Sequence, residues 1–210
     1  MKNKILIYII LFLAIFQKTE AQSIPINNGS MNGIAGQSNT PAGWAASIGY
    51  TPNNTALNSP TPDVLSTSFT AFSNNAAVAV SPSPDGGTWV GISSTVSENE
   101  AIKQIITNLV IGHQYSFTMY VANFGGGSFV APGKISVWIN GVKVGESPTL
   151  ALQANVWTTM NISFTATTTS AEFLIDADSG AGNGYYSIDG ISNLTDNNAC
   201  KAGTAIPGIQ

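Results

Sequence analysis

"SENEAIKQIITNLVIG", residues 97–112, decides the fold, because it can be read two ways. Ile102, Ile105, Ile106, Leu109 and Val110 recur at the spacing of an amphipathic helix. Ser97 and Glu100 have the spacing of a capping box, and Gly112 stands where a helix would stop. With period two instead, Ile102, Gln104 and Ile106 share one face of a strand. The local pattern favours the helix, whereas the surrounding chain favours the strand, and we assign it as a strand.

Downstream the alternation is plain. In "YSFTMYVANF", residues 115–124, Tyr115, Phe117, Met119 and Val121 fall on one face and Ser116, Thr118 and Tyr120 on the other. In "KISVWINGVKVG", residues 134–145, the buried set is Ile135, Val137 and Ile139. Asn140-Gly141 then supplies the left-handed conformations of a tight hairpin. Met160, Ile162 and Phe164 alternate against Thr159, Asn161 and Ser163, and Phe173, Ile175 and Ala177 against Glu172, Leu174, Asp176 and Asp178. Between residues 23 and 84 the chain is rich in Asn, Pro, Ser and Gly, which argues for loops and short strands. Short alternating strands separated by turns predict an all-β fold, an antiparallel β-sandwich.

The N-terminus bounds the compartment. Lys2 and Lys4 precede an unbroken apolar run over residues 5–16, and small Ala21 suits the position before a cut, so residues 1–21 read as a secretory signal peptide. The run is too short to span a bilayer, which needs roughly 20 residues. Removing Lys2, Lys4, Lys18 and Glu20 from seven lysines and eleven acids leaves four lysines against ten acids. There is no arginine. Phosphate backbones are held by clustered Lys and Arg, so nucleic acid is a poor partner, and so are anionic membrane surfaces. Only 9% of the residues are charged, so the surface is built from Asn, Ser, Thr and Gly. Cys200 is the single cysteine, which rules out an internal disulfide. Residues 22–197 form one domain, and residues 198–210 lose alternation and read as a flexible tail or linker to a further module.

Laid out in order, "NNGSMNG", "PAGW", "PDGGTWVGI", "AIKQIITNLVIGHQYSF", "KISVWINGVKVG", "VWTTMNISFTA" and "YYSIDGISNL" cover most of residues 27–194. In this succession the chain resembles the galactose-binding-like jelly rolls, which include many carbohydrate-binding modules of bacterial secreted and surface proteins. The resemblance implies two packed antiparallel sheets with ligands on a concave sheet face or at loop edges. It also implies a structural calcium, held by the opening strand and a late aspartate. Asp189 matches the late position, while Met31 and Asn32 replace the last two residues of the usual opening, so Asn32 is left to offer a carbonyl in place of a carboxylate.

The candidate ligand contacts follow from the alternation. Trp138 falls opposite Ile135, Val137 and Ile139 and so points outward, as does Tyr120 opposite Met119 and Val121. If their strands share the concave sheet, Trp138, Tyr120 and Asp176 line one surface, suited to a sugar by ring stacking and directed hydrogen bonds. In "PDGGTWVG", residues 84–91, Asp85-Gly86 reads as a hairpin turn that buries Trp89, with Asp85 as a further ligand contact. Trp44 and Trp157 read as packing residues. Asp176 and Asp178 read as solvated strand-end acids, and no second, distant carboxyl completes a glycosidase pair. His113, the single histidine, occupies a turn, which excludes a histidine triad or a multi-histidine metal site. The reading is a secreted or cell-surface, non-catalytic binding or adhesion module that takes a polysaccharide or surface glycan. A structural spacer of a larger adhesin is the alternative, and a glycan hydrolase the remoter one.

Overall fold

The structure, a computed structural model, describes residues 22–50, 60–180 and 182–199. The leader read in residues 1–21 lies outside them, as do Cys200 and the rest of the tail. The described residues form twelve strands: β1 (Ser23–Ile24), β2 (Ala45–Ile48), β3 (Asp63–Leu65), β4 (Trp89–Ser94), β5 (Glu100–Thr107), β6 (Gln114–Ala122), β7 (Lys134–Ile139), β8 (Val142–Glu146), β9 (Thr158–Thr165), β10 (Ser170–Asp178), β11 (Gly184–Asp189) and β12 (Leu194–Asp196). One 3-10 turn, Phe72–Asn74, interrupts the loop between β3 and β4.

The strands make two antiparallel sheets. One runs β2-β5-β10-β7-β8, and the other β1-β12-β6-β11-β4-β3, with β9 on the free side of β6. This is the sandwich read from the sequence, a jelly roll. The deciding stretch is a strand, β5, paired to β2 on one side and β10 on the other. Ile102 and Ile106 are buried in the core while Ile105 is 60% exposed, a pattern of period two. Gln104 shares their face by strand phase and can be buried there because its amide accepts from the Asn27 N–H and donates to the Asn27 carbonyl, tying the opening segment to the core. Tertiary pairing has overridden the helical pattern. The residues of the expected capping box do other work: Ser97 lies in a turn, its N–H, like that of Glu98, donated to the Thr95 hydroxyl oxygen, and Glu100 starts β5.

Between the sheets lie the sets that alternation picked out, including Phe117, Met119, Val121, Ile135, Val137, Met160, Ile162, Phe173 and Ile175. Asn140 and Gly141 both have positive φ, as a two-residue hairpin between β7 and β8 requires. Trp44 is buried and packs against Phe173 at 5.6 Å, donating its indole N–H to the Asn28 carbonyl.

A second, smaller core sits on the other side of the seven-stranded sheet. Leu65, Ala71, Trp89 and Tyr185 are buried there beneath Phe69, Phe72, Phe129 and Trp157. The Asp85-Gly86 turn exists, with the Gly86 N–H on the Ser83 carbonyl, but residues 76–80 before it are not a strand. It is therefore a loop turn that launches β4 rather than a hairpin, and Trp89 is fully buried beyond it.

Candidate functional site

Strand alternation and one bulge build a cluster on the outer face of the five-stranded sheet. In β7 the register to β8 shifts between Val137 and Trp138, so that Trp138 stands opposite Lys143 and, on its other side, opposite Leu174 of β10. Its indole is half-buried and points away from the intersheet core, as its phase in "KISVWI" implied. The indole N–H donates to Asp176 Oδ1 at 2.9 Å, and the Tyr50 backbone N–H donates to Asp176 Oδ2 at 2.7 Å. Tyr50 is 46% exposed and leans on the indole, ring centroids 5.4 Å apart at 53°. Lys143 Nζ lies 5.7 Å from the indole centroid on the ring face, a cation–π distance.

Charged groups rim these rings. The Tyr50 hydroxyl donates to Glu172 Oε1 at 2.7 Å, and Lys103 pairs with Glu172 Oε2 at 2.9 Å. The Tyr50 hydroxyl and the Lys103 ammonium hold the Glu172 carboxyl below its ordinary range, and the same carboxylate holds the Tyr50 phenol above its own. Glu146 joins Lys134 and Lys143, and these two ammonium groups lower its carboxyl in turn. Tyr50 and Trp138 therefore present aromatic surface whose edges are fixed by hydrogen bonds, amid donors and acceptors of both signs. Such a surface can stack on the C–H face of a ring and direct hydrogen bonds to its hydroxyls.

Asp176 departs from the sequence reading. It is fully buried rather than solvated, because Tyr50 and Trp138 close over it. It is a positioning group, which fixes the indole, and not an open ligand contact. Tyr120 departs too. Its strand, β6, belongs to the seven-stranded sheet, so Tyr120 cannot share a surface with Trp138 and Asp176.

Tyr120 instead meets Asp85 and Asp189. A Cβ at Gly190 would lie 2.5 Å from Tyr120 Cδ2 and 3.0 Å from Asp85 Cβ, which places these side chains around one turn. Asp189 is fully buried there, accepting from the Ser83 hydroxyl at 2.6 Å and the Gly190 N–H at 2.8 Å. Burial pushes its carboxyl up to about 7, with neighbouring Asp85 adding to the rise and the two hydrogen bonds opposing it.

Asn32 lies in the exposed opening turn, its backbone N–H on Asn28 Oδ1 and its carbonyl on Asn28 Nδ2. Calcium takes six to eight oxygens with substantial negative charge. The position offers the buried Asp189 carboxyl, Asp85 beside it and the Asn32 amide, and among the described residues no group of three or more His, Cys, Asp or Glu could hold a metal.

Tyr50, Lys103, Lys143 and Glu172 were missed from the sequence. Lys143 was in reach, since a two-residue Asn140-Gly141 turn fixes the register that sets it beside Trp138. Tyr50 was not, because it arrives from 126 residues away.

The chain is a jelly roll of two antiparallel sheets, with aromatic and polar groups on one sheet face. Comparison with solved structures bears out that fold. The CBM22-1 xylan-binding domain from Paenibacillus barcinonensis Xyn10C is 12% identical, with TM-score 0.53 over 88% of this chain and 100% of that one. TmCBM61 in complex with β-1,4-galactotriose is 15% identical, with TM-score 0.43 over 74% of this chain and 90% of that one. A sugar-binding protein, the EclA C-terminal domain, is 26% identical, with TM-score 0.36 over 43% of this chain, which spans 64% of its length. Four further matches are longer chains of which this one spans 21% to 30%. No protein-family model matches the sequence, and no curated protein matches it.

Proposed function

We propose that the chain is an exported, non-catalytic module that binds polysaccharide on the outer face of its five-stranded sheet, by ring stacking and hydrogen bonding and without turnover. The observation that carries this is the Tyr50–Trp138 pair: two rings in contact on an open sheet face, one of them 46% exposed, the other fixed through its indole N–H by a buried carboxylate. A fixed ring loses little entropy when a ligand stacks on it. Export follows from the leader in residues 1–21, and a neutral hydroxyl-rich ligand suits a chain with four lysines beyond that leader and no arginine. The fold it shares with a xylan-binding domain supports the ligand class.

The test is depletion from solution by a panel of insoluble neutral polysaccharides. The wild type is retained on at least one, and Tyr50→Ala and Trp138→Ala each weaken retention by about tenfold or more, as for the central aromatic of an interface. No retention on any polysaccharide would leave the structural spacer as the better reading.

A further inference from the structure

A cleft of about 190 Å³ opens where the seven-stranded sheet meets the start of β5 of the other sheet, beside the Phe72–Asn74 turn. Asp63, Glu100, Tyr185, Phe72, Phe129 and Thr61 line it. We infer that this cleft is a second carbohydrate site, which takes a single neutral sugar ring and rejects acidic ones. The inference rests on the polysaccharide-binding reading for its ligand class only, because the site shares no residue with the Trp138 face.

The walls are aromatic and rigid. Phe72 meets Phe129 at 5.3 Å and Tyr185 at 5.4 Å, both edge-to-face. Its ring is seated over Gly126, where a Cβ would come within 2.7 Å of Phe72 Cε1. The floor is polar and already oriented. Asp63 Oδ1 accepts from the Ser38 N–H at 2.7 Å and Oδ2 from the Tyr185 hydroxyl at 2.6 Å. Glu100 Oε1 accepts from the Thr61 N–H and hydroxyl, and Oε2 from the Ser93 N–H at 2.8 Å. A carboxylate can accept about four hydrogen bonds, so each retains capacity for a ligand hydroxyl. The volume is below the roughly 300–1,000 Å³ of sites for drug-sized ligands, so one ring fits and a chain of rings does not.

Charge sets the selectivity. Asp63 and Glu100 are both buried, and neither pairs with a described lysine: Lys103 is held by Glu172, and Lys134 and Lys143 by Glu146. Burial raises the Asp63 carboxyl, and the charge on Glu100 raises it further. A uronate would bring a third carboxylate to this pair. A neutral pyranose brings hydroxyl donors for the carboxylates and a C–H face for the rings.

Methyl β-xyloside, methyl β-galactoside and galacturonate are titrated into the ¹⁵N-labelled protein, with the Ser93 and Thr61 amides and the Gln37 side-chain amide followed by NMR. At least one neutral glycoside shifts these signals, and galacturonate binds at least tenfold more weakly. Phe72→Ala abolishes the shifts, and Glu100→Gln narrows the discrimination. Gln37→Ala, at an exposed position on the cleft rim, weakens binding without endangering the fold. Trp138→Ala leaves the cleft shifts intact while it weakens retention on polysaccharide. Cleft signals unmoved by every glycoside, or moved equally by galacturonate, overturn the inference while retention still judges the Trp138 face. Cleft shifts without any retention fail that face and leave the cleft standing.

Discussion

Asp189→Asn should remove a pH dependence from the stability of this fold. In the unfolded chain the Asp189 carboxyl titrates at its ordinary 3.8, whereas in the folded protein burial lifts it to about 7. Between these values the folded state keeps a proton that the unfolded chain has released, so stability falls as pH rises through the window. The penalty is absent below pH 4 and complete above pH 7, where the gap corresponds to about 4 kcal/mol. Asparagine keeps the shape and can still accept from the Gly190 N–H, with its amide turned to the Ser83 oxygen, but it does not titrate. The assay is urea unfolding of both proteins at intervals from pH 4 to pH 8. Most other acids cancel in the difference, since they are remote from the substitution. The variant should gain on the wild type by up to about 4 kcal/mol as pH rises from 4 to 7. A flat difference, or a wild type that gains on the variant, would refute the reasoning that this carboxyl is buried without a compensating charge.

Three further outcomes follow from the geometry. Ile102→Ala should cost about 2–5 kcal/mol in urea unfolding, as for a fully buried aliphatic, while Ile105→Ala stays within about 0.5 kcal/mol. A large cost at both would restore the helix. Gly86→Ala pays only for a left-handed backbone, about 1–2 kcal/mol, since nothing lies near its missing Cβ. Gly190→Ala should cost visibly more in the same assay, because its Cβ would collide with Tyr120. With no group of three or more His, Cys, Asp or Glu able to hold a metal among the described residues, added calcium or chelator should leave the thermal midpoint unchanged, and a calcium-dependent rise of several degrees would restore the calcium site expected at Asn32 and Asp189.

Alternation carried most of the fold. It placed whole faces in the core, such as Ile135, Val137 and Ile139 of β7 and Met160, Ile162 and Phe164 of β9, and it turned Trp138 outward. Alternation assigns a residue to one side of its own strand and not to a sheet, which is why Tyr120 and Trp138 were grouped and the structure separates them. Nor does it show what closes over an outward residue. Asp176 points outward and is still fully buried, because Tyr50 reaches it from the end of β2, two strands away. The Asp63 and Glu100 cleft was equally hidden, since its walls come from the loop after β3, the loop after β6 and strand β11, which only the folded sheet brings together.

The most direct measurement is the indole N–H signal of Trp138 in a ¹⁵N spectrum, assigned by its loss in Trp138→Phe, during titration with xylohexaose and galactotriose. The account predicts that at least one oligosaccharide shifts this signal saturably, while that of buried Trp44 stays in place. An indole signal at Trp138 that does not move while an oligosaccharide demonstrably binds the protein would contradict it.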